Sequence, residues 1–101
     1  MLLAYVLDRP VGCVAFRSIE EGIVEMKRLY VRDSYRELHI GRELVQEIIS
    51  LARQLGYSKM RLDTHPWMFE AQHLYDEAGF KEVPAYNNNP TEGIRFFELQ
   101  L

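Results

Sequence analysis

Apolar and polar residues alternate in short blocks along the first third of this chain and then settle into a helical period. Leu2 to Leu7 reads as a strand, Asp8-Arg9-Pro10 as a turn and Val11 to Arg17 as a second strand. Glu20-Glu21-Gly22 makes another turn. Ile23 to Val31, rich in β-branched, aromatic and long apolar residues, makes a third strand. Strands joined by such short turns predict an antiparallel meander. The period then changes: Leu44, Val45, Ile48, Ile49, Ala52 and Leu55 recur at helical spacing, Arg53 falls in the last turn and Gly56 is placed as a left-handed cap. Lys59 to Thr64 is the next strand, so strand, helix and strand form a parallel, right-handed crossover. His65-Pro66-Trp67 opens a second helix with proline in its first turn, Ala71, Leu74, Tyr75 and Ala78 as its apolar stripe and Gly79 as its cap. Phe80 to Tyr86 reads as a strand, Asn87 to Gly93 as a solvated polar loop and Ile94 to Leu101 as a closing strand. The expected architecture is a single α/β domain over residues 1–101, a mixed, mostly antiparallel sheet of about six strands carrying two main helices.

The centre of this pattern is Glu25 to Gly56, where a strand passes through a polar turn carrying Arg36, Gly41 and Arg42 into the long helix. A helix N-terminus behind a tight turn offers unpaired backbone N–H groups and the positive end of its dipole to an anion. The stretch is therefore read as a phosphate-holding element. Lys27, Arg28, Arg32, Arg36 and Arg42 concentrate positive charge there, although a solvated face balanced by Glu37, Glu43 and Glu47 explains the charges equally well.

Composition narrows the classes. A net charge of −3 argues against nucleic acid as a partner. An apolar content of 48% argues against disorder. The single cysteine, Cys13, allows no internal disulfide, and as a lone cysteine in an apolar strand it reads as a small core residue. The apolar start is too short for a membrane span, so a soluble, cytoplasmic protein is expected. His39, His65 and His73 are too scattered for a local metal motif, and no metal is expected. The Trp67-Met68-Phe69 knot is expected to pack, with a pocket wall or a dimer contact as the alternative. The first strand has an uncovered edge, which implies either further upstream sequence or a homodimer through that strand.

Four segments in order, Glu25-Met-Lys-Arg-Leu-Tyr-Val31, Tyr35-Arg36 to Ile40-Gly41-Arg42, Arg61-Leu-Asp-Thr64 and Leu74-Tyr75-Asp-Glu-Ala-Gly79-Phe80, resemble the GNAT superfamily of acetyl-CoA-dependent N-acetyltransferases. The resemblance runs from about Gly12 to the C-terminus and lacks the family's N-terminal strand and helices, which usually wall the acceptor site. It implies the acyl-CoA N-acyltransferase fold and transfer of acetyl from acetyl-CoA to a primary amine of a small molecule or peptide by direct attack. It further implies that the backbone of Leu29, Tyr30 and Val31 binds the pantetheine arm and that Arg36, His39, Ile40, Gly41 and Arg42 hold the pyrophosphate. His39 stands where the family has its first glycine, and Glu37 occupies another position often held by glycine. A side chain there crowds an approaching pyrophosphate, while a protonated histidine would attract it. Tyr75 matches the family's general acid for the departing sulfur, the alternative being a core tyrosine with a locally satisfied hydroxyl. Glu25 is the candidate general base, directly or through a water, or else the ion-pair partner of Lys27 or of a cation on a neighbouring strand. The lost glycines and the missing helices leave a second reading open, a catalytically degenerate GNAT-like module kept for ligand binding or dimerisation.

Overall fold

A computed structural model of the chain describes residues 2–6, 9–32 and 40–101. The strands are β1 (Leu2–Val6), β2 (Arg9–Glu20), β3 (Ile23–Val31), β4 (Lys59–Thr64), β5 (Lys81–Val83) and β6 (Arg95–Gln100). The helices are α1 (Ile40–Gln54) and α2 (Phe69–Ala78). The strands form one sheet in the order β1-β2-β3-β4-β6-β5. Among the described residues only β3 and β4 run parallel, and every other neighbouring pair is antiparallel. The meander, the crossover and the mixed sheet are thus as the sequence pattern predicts.

The helices cover one face. Leu44, Val45, Ile48, Ile49 and Ala52 of α1 and Tyr75 of α2 join Val14, Val24, Met26, Met60, Leu62, Phe97 and Leu99 from the strands in one buried cluster. In β4 the alternation is strict: Met60, Leu62 and Thr64 are buried, while Lys59, Arg61 and Asp63 are half-buried. Side chains on a strand point to alternate faces, so Arg61 and Asp63 face away from the helices. Glu25 and Lys27 do the same on β3, alternating with Val24 and Met26 of the core.

Both helices end on glycine for the same reason. Gly56 and Gly79 take φ of 88° and 98°, which an L side chain rarely adopts. At each end two backbone bonds close a Schellman motif: Gly56 N to Arg53 O and Tyr57 N to Ala52 O, then Gly79 N to Asp76 O and Phe80 N to Tyr75 O. In the second, the residue after the glycine packs on the residue whose carbonyl it binds, with the Phe80 and Tyr75 rings 5.7 Å apart. The Leu-Tyr-x-x-x-Gly-Phe spacing therefore encodes a helix end that fixes the tyrosine.

Several boundaries differ from expectation. Helix α2 begins at Phe69 rather than His65, because residues 65–68 form a turn closed by Met68 N to His65 O and the helical ladder starts at Gln72 N to Met68 O. Leu55 lies beyond the end of α1 and is exposed rather than in the buried stripe. Strand β5 stops at Val83 because Pro84 has no N–H to continue a ladder. Trp67 and Phe69 do not pack into the core; they are 64% and 73% exposed. No helix among the described residues is long and apolar enough to cross a membrane.

Candidate functional site

The two parallel strands at the middle of the sheet part company. Pairing of β3 with β4 covers Ile23↔Lys59, Val24↔Met60 and Glu25↔Arg61, and among the described residues no pair continues beyond it. Each strand stays bound on its other side, β3 to β2 as far as Val31 and β4 to β6 as far as Thr64. The sheet thus forks after Glu25, and the fork opens toward the carboxyl ends of both strands, where open α/β sheets bind ligands. A bulge lies on the β3 side. Between Ala15↔Lys27 and Cys13↔Tyr30, Arg28 and Leu29 together oppose the single residue Val14. The extra residue shifts the alternation: Val24 and Met26 face the core before it, and Leu29 and Val31 after it.

Glu25 sits at the root of the fork. Its carboxylate is 1% exposed and fully engaged. Oε1 accepts from Arg17 Nε at 3.1 Å and is paired with Lys27 Nζ at 3.2 Å. Oε2 accepts from the Tyr86 hydroxyl at 2.6 Å. Lys27 reaches on to Asp63 Oδ1 at 3.5 Å, so one ammonium lies between two carboxylates. Asp63 Oδ2 accepts from Asn87 Nδ2 at 3.0 Å and Asn89 Nδ2 at 3.3 Å. Burial pushes the Asp63 carboxyl up, but the bonds from Asn87 and Asn89 and the charge of Lys27 outweigh it and hold the group below its ordinary range.

Tyr75 lies on the helix side, buried, its ring against Phe80 and, at 6.3 Å, Phe97. Burial and the negative charge of Asp63 push its hydroxyl up to about 12. It is therefore protonated at neutral pH, as an acid must be before it acts. Burial and the adjacent Glu25 raise the Tyr86 hydroxyl as well.

The residues expected at the anion site are divided. Arg36 and His39 lie outside the described residues, as does Glu37. Ile40 is buried in the core cluster, and Gly41 packs so closely on α2 that a Cβ there would stand 3.0 Å from Leu74 Cδ1. The Arg42 guanidinium is bound to Glu77 of α2 at 2.8 Å. Ile40, Gly41 and Arg42 form the first turn of α1, whose backbone N–H groups have no acceptor within the helix. Leu29 and Val31 turn toward the core, and Tyr30 is exposed.

The 84–94 segment is the part sequence reasoning missed. It is pinned rather than loosely solvated: Asn87 and Asn89 bind Asp63, Tyr86 binds Glu25, and Tyr86 packs edge-on to Phe96 at 5.3 Å. The asparagines also fold their own loop, Asn87 Oδ1 accepting from Asn89 N and Asn89 Oδ1 from Thr91 N. A run of asparagines signals such turns, but not the distant carboxylate it will meet. The described residues contain no group of three or more His, Cys, Asp or Glu side chains placed to hold a metal ion.

A mixed sheet forked between its parallel strands, with a helix N-terminus and a buried tyrosine on one side, is the acyl-CoA N-acyltransferase architecture. The chain belongs to the acetyltransferase (GNAT) family, whose model matches residues 1–80. It is similar to an uncharacterized N-acetyltransferase of Schizosaccharomyces pombe, 43% identical over 91 residues, covering 89% of this chain and 56% of that protein. A second, from Dictyostelium discoideum, is 39% identical over 80 residues, covering 78% of this chain and 37% of that protein. The chain thus spans about half or less of the length of these curated relatives. Among solved structures, a GNAT-family acetyltransferase of Staphylococcus aureus superposes with a TM-score of 0.85 at 24% identity, covering 97% of this chain and 65% of that one. The PaiA N-acetyltransferase of Thermoplasma acidophilum in complex with coenzyme A superposes with a TM-score of 0.84 at 21% identity, covering 98% of this chain and 58% of that one.

Proposed function

We propose that the protein transfers the acetyl group of acetyl-CoA to a primary amine on a small molecule or peptide. The observation that carries this reading is the fork between β3 and β4, flanked by the first turn of α1 and by protonated Tyr75 on the helix side and by Glu25 and Asp63 on the other. The two faces suit two substrates. The helix side, apolar and ending at the α1 N-terminus, suits the thioester and its phosphates. The opposite face, lined by carboxylates, suits an ammonium.

In the proposed reaction the amine first gives a proton to Glu25, directly or through a water, and its lone pair attacks the thioester carbonyl carbon. The carbonyl oxygen takes up the electron pair and is stabilised by backbone N–H groups in the Leu29–Val31 stretch of β3, at the bulge. The intermediate collapses, the C–S bond breaks, and the sulfur takes the proton of the Tyr75 hydroxyl; the nitrogen, becoming an amide, sheds its remaining extra proton, which restores the Tyr75 hydroxyl through solvent, and Glu25 returns its proton to water. Arg36 and His39, in the turn before α1, are proposed to complete the pyrophosphate site with the backbone of Ile40, Gly41 and Arg42.

Release of free thiol from acetyl-CoA over a panel of primary amines tests the reading. Tyr75→Phe should lower kcat about a hundredfold or more, the usual size of a general-acid contribution being about 10²–10⁴, with little change in acetyl-CoA affinity. Full activity in that variant would remove Tyr75 from the mechanism. No thiol release with any amine would refute transfer itself.

A further inference from the structure

Among the described residues, the buried side-chain polar atoms without a hydrogen-bond partner are Thr64 Oγ1 and His65 Nδ1, on consecutive residues. Burying a hydroxyl unpaired is costly, and a native chain that keeps one has a role for it. Thr64 is 3% exposed and lies in the row Met60, Leu62, Thr64 that faces the helices. Valine would suit that row equally well and carry no orphan atom.

The position of Thr64 points to its role. It is the last residue of β4, beyond the point where pairing with β3 stops, so it stands at the open end of the fork. Its ladder partner is already committed. Arg95, its partner across the β4–β6 ladder, is bound to Glu82 and Gln72. Gln72 in turn donates to His65 O. Neither can turn to Thr64 without giving up a bond it already makes.

We propose that Thr64 is a ligand-binding residue whose hydroxyl hydrogen-bonds an amide of the pantetheine arm of acetyl-CoA; this rests on the acetyl-CoA reading above. A hydroxyl both donates and accepts, and a secondary amide presents one group of each kind. The arm is also the only part of acetyl-CoA suited to an apolar row on the helix side. The phosphates need the α1 N-terminus, and the acetyl carbon must reach the bulge of β3.

The test is calorimetric titration of the full chain and of Thr64→Val and Thr64→Ser with acetyl-CoA, alongside thermal unfolding without ligand. Thr64→Val should bind about tenfold more weakly and Thr64→Ser within about twofold of the unaltered chain, the loss expected for one hydrogen bond. The ligand-free Tm of Thr64→Val should equal or exceed that of the unaltered chain, because an unpaired buried hydroxyl has been removed. S-acetylpantetheine, which keeps the arm and lacks the nucleotide, should show the same penalty. Unchanged binding by Thr64→Val would overturn the assignment while leaving the acetyl-CoA reading intact. So would a lowered Tm, the mark of a purely structural hydroxyl, or a penalty absent with S-acetylpantetheine. Failure of the unaltered chain to bind acetyl-CoA would overturn both.

Discussion

Glu25 shows how one residue joins stability to chemistry. Its carboxylate is out of water and holds Arg17, Lys27 and Tyr86, so removing its charge leaves three donors facing a weaker acceptor. Arg17 is largely exposed and can turn to solvent, which limits the loss. Glu25→Gln should therefore cost about 1–3 kcal/mol in urea unfolding, the range for weakening buried charge-assisted bonds, and should also slow acetyl transfer. A variant of unchanged stability would mean that the network does not hold the fork together. Asp63 adds a pH dependence. Its folded carboxyl titrates below the ordinary value of 3.8, so its contribution is present above that value and is lost as pH falls through the lower, folded one. Asp63→Asn should accordingly be less stable than the unaltered chain at pH 7, and the gap between their urea midpoints should narrow below pH 4. A gap that does not change with acid would show that the charge of Asp63 contributes nothing to folding.

At the scale of elements, the chain was legible where its pattern is local. The helical period of α1, the alternation of β4 and the Gly-Phe end of α2 all follow from neighbours a few residues apart. Glu25 stands out as a carboxylate in an apolar strand, whereas Tyr75 follows only from the resemblance of Leu-Tyr-x-x-x-Gly-Phe to the family's pattern, its spacing alone fitting a core tyrosine equally. Asp63, Asn87, Asn89 and Tyr86 could not be picked out, since their partners lie 24 to 61 residues away and only the parallel register and the return of the 84–94 segment bring them together. The start of α2 was misplaced because Pro66 suits a turn as well as a first helical turn. The end of α2 yields a further prediction. Gly79→Ala forces a Cβ into φ 98°, although the nearest atom, Leu99 Cδ1, is an ordinary 3.5 Å away. The penalty is conformational rather than steric, so Gly79→Ala should cost about 1 kcal/mol and Gly79→Asn less, because asparagine tolerates this region. Equal losses in the two variants would point to packing instead.

At the scale of the molecule, the sheet formed by the described residues has β1 and β5 at its two ends, and they are defended differently. β5 is only three residues long, carries exposed Lys81 and Glu82, and is followed by Pro84, all features that discourage a further strand from adding. β1 has the sequence Leu-Leu-Ala-Tyr-Val, without a charge or a proline, and its bonds run to β2 alone within the sheet. An uncharged edge of this kind tends to acquire a partner, and in a solution of this chain the partner available is a second copy. Light scattering after size exclusion should therefore report a dimer. Placing a charge on the edge with Leu3→Lys should shift it toward monomer without unfolding the sheet, as judged by an unchanged circular dichroism spectrum. The fork between β3 and β4 lies in the interior of the strand order, two places from β1, so acetyl-CoA binding should be the same for dimer and monomer. A chain that is monomeric at every concentration would refute pairing through β1, and a monomeric variant that no longer binds acetyl-CoA would tie the site to the dimer.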